Sequence, residues 1–176
     1  MDDHVSANMS VVNSSNPDSS LFPSPRFLAL CMLKGLSPLL SADLLYVLAS
    51  MGHGDEIVLA DANFPAATHA SELIRLPGVS VARVLDAVLS VMPLDTFVAQ
   101  GALTMQVVGD AEAVPPAVAD MQAVLARHGC PPAGSLERFA FYERAAGAFA
   151  VVATGETRVY GNVILRKGVV LQGGDE

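Results

Sequence analysis

The chain has 176 residues, 52% of them apolar, enough to bury one core and too few for two. Ten Lys and Arg against 18 Asp and Glu give a formal net charge of −8, which argues against nucleic acid and anionic membrane as partners. Its two cysteines, Cys31 and Cys130, stand far apart and in no CxxC spacing, so they signal neither a disulfide framework nor a zinc site and suit a reducing, cytoplasmic setting.

Residues 1 to about 25 are rich in Ser, Asn, Asp and Pro and lack aliphatic periodicity, which marks a disordered extension over residues 1–31. Its two sequons, at Asn8 and Asn13, matter only in secreted chains. Arg26 and the apolar run behind it imitate a signal peptide, but Lys34 ends the run and no basic residue opens the chain, so the folded domain is expected from residue 32 to 176. Charge, Pro or Gly interrupts every apolar stretch before the ~20 residues a membrane-spanning helix needs.

A helix is predicted over 41–51: Ser41 can cap it, Asp43 suits its positive end, and Leu44, Leu45, Leu48 and Met51 recur at helical spacing. The short apolar run 56–61 reads as a buried strand ending at Asp61, before the Asn63-Phe64-Pro65 breaker. Then come a helix over 81–91, an extended segment near 103–108, and a helix opened by Pro115-Pro116 that runs through Arg127 to Gly129. A short helix over 138–146, a strand over 148–154, a turn at Gly155-Glu156 and a last strand over 162–167 complete a layered α/β domain. There is no internal repeat, and GxGxxG, GxxxxGK, GxSxG and HExxH motifs are absent.

His53 sits between Gly52 and Gly54, where a helix gives way to a strand and the backbone has room to approach a ligand. It reads either as a proton-transfer group or as a loop side chain bonded to a nearby carbonyl. Asp61 closes a buried strand at the rim where α/β sheets place ligands, or else it caps the turn that follows. The run Arg138-Phe139-Ala140-Phe141-Tyr142-Glu143-Arg144 mixes flat apolar faces with guanidinium donors, as sugar sites do; its aromatics are equally expected in the core, and Arg144 with Glu143 as a surface pair. Tyr160-Gly161-Asn162 places a phenol and an amide beside a tight turn that Gly161 permits. His128 suits a helix C-terminus, His69 stands in a polar stretch, and His53 with Asp55 and Asp61 makes too sparse a set for a metal.

The blocks Met32-Leu33-Lys34-Gly35-Leu36-Ser37-Pro38, Met51-Gly52-His53-Gly54-Asp55-Glu56, Asp61-Ala62-Asn63-Phe64-Pro65-Ala66, Arg138-Phe139-Ala140-Phe141-Tyr142-Glu143-Arg144, Thr154-Gly155-Glu156 and Tyr160-Gly161-Asn162-Val163-Ile164 occur in this order. In that order and spacing the chain resembles the fucose mutarotase and ribose pyranase family from Met32 to about Gly168. The resemblance implies a single three-layer α/β/α domain with a mixed sheet. It also implies an isomerase that needs no cofactor or metal, a free monosaccharide as substrate, and homo-oligomers up to decamers with active sites where subunits meet. It puts the family's catalytic histidine on His53 and its sugar-binding positions on Asp61, Arg138, Tyr160, Gly161 and Asn162. The block at Arg138 favours the fucose branch, with D-ribose pyranase or a non-catalytic sugar-binding protein as the alternatives. Asn63 stands where some members carry a histidine.

Overall fold

A computed structural model describes residues 33–170. The expected N-terminal extension, both sequons and Cys31 lie outside these residues. The described chain runs α1 (Ala42–Ser50), β1 (Glu56–Ala60), α2 (Ala66–His69), β2 (Leu73–Leu76), α3 (Val81–Leu89), β3 (Ala102–Met105), α4 (Pro116–Arg127), β4 (Gly134–Leu136), α5 (Arg138–Ala146), β5 (Ala150–Thr154) and β6 (Val163–Arg166).

The strands form one six-stranded sheet in the order β2-β5-β1-β6-β3-β4. β6 is antiparallel to both of its neighbours, β1 and β3, while β2, β5 and β1 pair in parallel, as do β3 and β4. The sheet is therefore mixed.

Both faces of the sheet are covered, which is why its central strands are apolar without alternation. Ile57 and Leu59 of β1 join Leu44, Val47 and Leu48 of α1, Val84, Leu85 and Val88 of α3, and Met121 and Leu125 of α4 in one core. The intervening Val58 and Ala60 point the other way, into a smaller core with Ala66 of α2 and Phe141 and Ala145 of α5. The result is the expected three-layer α/β/α arrangement. Each fully buried leucine, such as Leu85, stabilises the fold by about 2 kcal/mol on transfer grounds.

Local chemistry sets the ends of the helices. The Ser41 side chain accepts the Leu44 amide at 3.2 Å as the N-cap of α1. At the other end, Lys167 Nζ donates to the carbonyls of Leu48 (2.8 Å) and Met51 (2.5 Å), which places a cation where the helix dipole is negative. Glu137 caps α5 by accepting the amides of Phe139 and Ala140, which fixes Arg138 at the first turn.

Three elements escape the hydrophobic pattern: α2 is a single turn, and β2 and β4 are edge strands of four and three residues. Several side chains also differ from expectation. Phe139 is exposed rather than buried, because Glu137 starts the helix with that face toward solvent. Arg144 pairs with Glu56 of β1 and not with Glu143, its Nε lying 2.9 Å from Oε2. His69 is more than a polar surface residue, since its ring stacks on Tyr142 (centroids 5.3 Å apart) and tilts against Phe64. Among the described residues no helix is long and apolar enough to cross a membrane.

Candidate active site

The order β5-β1-β6 decides where the site lies. β5 and β6 flank β1 and run in opposite directions, so the loop that joins them must cross the C-terminal end of β1, where Asp61 emerges. Thr154, Glu156, Tyr160, Gly161 and Asn162 reach Asp61 by that route.

Asp61 and Asn162 are both 4% exposed and bond reciprocally: the Asp61 amide donates to Asn162 Oδ1 at 2.9 Å, and Asn162 Nδ2 donates to Asp61 Oδ2 at 2.9 Å. The Gly161 amide adds a bond to Oδ2 at 3.1 Å, and the Asn63 amide donates to Oδ1 at 2.9 Å. Asp61 thus caps its own turn and also clamps a loop a hundred residues away. Three donors, the Asn63 and Gly161 amides and Asn162 Nδ2, converge on its carboxylate.

The left-handed residue of that loop is Tyr160, with φ 61°, and not Gly161. Gly161 is required for space: a Cβ there would lie 2.7 Å from Glu156 Cγ and 3.4 Å from Asp61 Cβ. The Tyr160 hydroxyl accepts the Val108 amide at 3.3 Å, which leaves its own proton free to donate.

These groups open onto a cleft of about 390 Å³, lined by Asp61, Asn63, Arg138, Tyr160 and Asn162 on its polar side and by Phe64, Met105, Tyr142 and Val159 on its apolar side. Arg138 lies over the Phe139 ring at 4.7 Å, and its Nε is a buried donor without an acceptor among the described residues. A wall of apolar and aromatic groups facing convergent donors and acceptors suits a small polyhydroxylated ring.

His53 is elsewhere. It precedes β1, whereas Asp61 follows it, and the strand between them spans roughly 16 Å. The His53 side chain is 47% exposed, with Nε2 3.3 Å from Asp95 Oδ1 and its ring edge-on to Phe97, which is 73% exposed. Asp95 itself is buried; it accepts the Phe97 amide at 2.9 Å and Arg166 Nε at 3.1 Å. The Phe97 amide, followed by the His53 side chain and the charges of His53 and Arg166, holds the Asp95 carboxyl below its ordinary value against the opposing effect of burial.

Of the residues singled out from the sequence, one chain brings together Asp61, Arg138, Tyr160, Gly161 and Asn162, and leaves His53 apart. Sequence reasoning missed Asp95 and gave no role to Phe64 and Glu156, although both fall in the blocks that carry the family resemblance. Asp95 and Phe64 carried only weak signals beside prolines, and Glu156 was read as a turn residue although its side chain is buried.

Residues 34–170 match the RbsD / FucU transport protein family. The chain belongs to this family. Among members of the RbsD / FucU family, a fucose mutarotase from Homo sapiens is 52% identical over 145 residues, covering 78% of this chain and 94% of that protein. An L-fucose mutarotase from Histophilus somni is 44% identical, covering 78% and 97%. The crystal structure of the fucose mutarotase in complex with L-fucose from Streptococcus pneumoniae superposes with a TM-score of 0.75 at 45% identity, covering 79% of this chain and all of that one. RbsD from Bacillus subtilis complexed with D-ribose shares the fold at 24% identity and a TM-score of 0.63.

Proposed function

We propose that the protein is an L-fucose mutarotase, an isomerase that interconverts the α and β anomers of the free sugar by acid/base ring opening. The observation that carries this reading is the cleft at the C-terminal end of β1, in a chain 44–52% identical to proteins named fucose mutarotase.

Ring opening removes the proton from the anomeric hydroxyl and delivers one to the ring oxygen as the bond from C1 to that oxygen breaks. The open aldehyde rotates about C1–C2 and closes on its other face, so the net reaction consumes no electron and no group. His53 is the principal proton-transfer group, since one imidazole can take and return a proton within a cycle. Asp61, Tyr160, Gly161 and Asn162 form the holding surface: Tyr160 offers its hydroxyl proton, and Asp61 Oδ1 keeps a lone pair beyond the one spent on Asn63. The open Nε of Arg138 fixes orientation.

The separation of His53 from the cleft supports a homo-oligomer in which His53 and Phe97 of one copy close the cleft of the next, a decamer in the fullest assembly. Exposed Phe97 beside a half-exposed His53 fits a surface covered by another copy. A cytoplasmic location agrees with the free thiol of Cys130.

The test is exchange NMR on equilibrated L-fucose and D-ribose with and without the protein. Faster α to β exchange of fucose is expected. Acceleration of ribose pyranose to furanose exchange alone would move the protein to the pyranase activity, and binding without acceleration would make it a sugar-binding protein.

A further inference from the structure

We infer that Glu156 is a positioning residue for the reaction: its buried carboxylate holds the 158–162 loop against Asp61 and thereby sets the affinity for the sugar. The inference rests on the mutarotase reading of the cleft. No atom of Glu156 lines that cleft, so it acts through the residues that do.

Glu156 is 4% exposed, and one residue ties four parts of the chain together. Its amide donates to Thr154 Oγ1 at 3.2 Å, and Thr154 Oγ1 in turn donates to the Ala60 carbonyl at 2.9 Å, which binds the ends of β5 and β1. Its carbonyl accepts the amide of Ala62, the residue after Asp61, at 2.8 Å. Its Oε1 accepts both the amide (3.0 Å) and Nε (2.9 Å) of Arg158, and Oε2 accepts Nη2 at 2.9 Å. The Val81 amide at the start of α3 also helps to hold this carboxyl below its ordinary value.

Two features show that the loop is pressed into place rather than resting there. Tyr160 adopts a left-handed backbone that non-glycine residues keep only where their surroundings over-determine it. Gly161 lies so close to the Glu156 side chain that no Cβ fits. The fork of Arg158 on Glu156 lies two residues before Tyr160 and supplies that constraint, with an outer arm from Arg158 Nη1 to Asp120 Oδ2 at 2.8 Å.

Glu156→Gln keeps the volume and an acceptor but loses the charge that grips Arg158 in a fork. Fucose exchange NMR on wild type and variant separates KM from kcat. A KM at least fivefold higher with kcat within twofold of wild type is expected, because the loop that holds the sugar loosens while His53 is untouched. Restoration by a carboxylate of the same length, in the back-mutant, completes the comparison, and Asp120→Asn, which cuts only the exposed arm, should leave both constants within twofold. A folded Glu156→Gln protein with unchanged KM overturns the assignment, whatever its Tm. If that variant does not fold, Arg158→Gln is read in the same way and with the same criteria. If wild type accelerates neither sugar, the mutarotase reading falls, and the same comparison is made on the Kd for L-fucose.

Discussion

The two ends of β1 are built on opposite principles. At its C-terminal end Asp61 and Asn162 are buried and reciprocally bonded, Gly161 is wedged against Glu156, and Tyr160 is held in a left-handed conformation. At its N-terminal end the only deeply buried member of the His53 cluster is Asp95, and the imidazole and Phe97 that it supports face outward. Ordering at the first end is prepaid by the fold, so a ligand there would meet a preorganised surface. The second end presents an imidazole and a phenyl ring on exposed loops, the arrangement on which the proposed proton transfer into another copy's cleft rests. Substitutions at the two ends should therefore separate chemistry from stability.

The largest effect is expected from His53→Ala, a ~10² to 10⁴-fold loss in the rate of fucose anomer exchange, the range a positioned acid or base supplies. Tm and fucose affinity should change little. A folded variant with wild-type exchange rates would remove His53 from the mechanism.

Asp61→Ala should do the reverse of His53→Ala in one respect, because stability falls along with binding. It leaves the amides of Asn63 and Gly161 and the Asn162 side chain without their acceptor, for a loss of about 3 kcal/mol in urea unfolding. An unchanged midpoint would show that water replaces the carboxylate at no cost.

Gly161→Ala inserts a methyl 2.7 Å from Glu156 Cγ and should destabilise by about 1 to 3 kcal/mol, with weaker fucose binding by calorimetry. The equivalent change at the other end, Gly54→Ala, brings its Cβ 3.2 Å from Arg166 Nη2 and forces a left-handed alanine at φ 88°. It should lower the exchange rate more than the affinity.

The smallest effect is on acid stability. Arg158, above all through its side-chain hydrogen bonds, lowers the Glu156 carboxyl from its ordinary 4.5 to about 2. A depressed folded-state value means that this contribution is whole above about 4.5 and is lost as pH falls toward about 2. Asp95 and Asp86 are also lowered and add to the same acid limb. Melting temperatures from pH 6 to 2 should fall less steeply in Glu156→Gln than in wild type; parallel curves would mean that Glu156 gains nothing from its partners.

Helices α1, α3, α4 and α5 and strands β1, β5 and β6 were legible because local spacing and apolar runs encode them. α1 even carries its own cap in Ser41. β2 and β4 were not, since Leu73-Ile74-Arg75-Leu76 and Gly134-Ser135-Leu136 become strands only by pairing with β5 and β3. Glu156 looked like a turn residue because nothing nearby in sequence shows that α3, the end of β1 and Arg158 converge on it.

By itself the sequence determined the layered α/β class and the apolar core and singled out the polar groups proposed to hold or open a sugar ring, since these depend on residue type and short-range spacing. Only the tertiary structure decided that Asp61 and Asn162 meet across a hundred residues while His53, eight residues from Asp61, stands at the far end of the same strand. The reason is geometric: a strand carries its two ends about 3.3 Å per residue apart, while the antiparallel return of β6 folds distant chain back onto one of them.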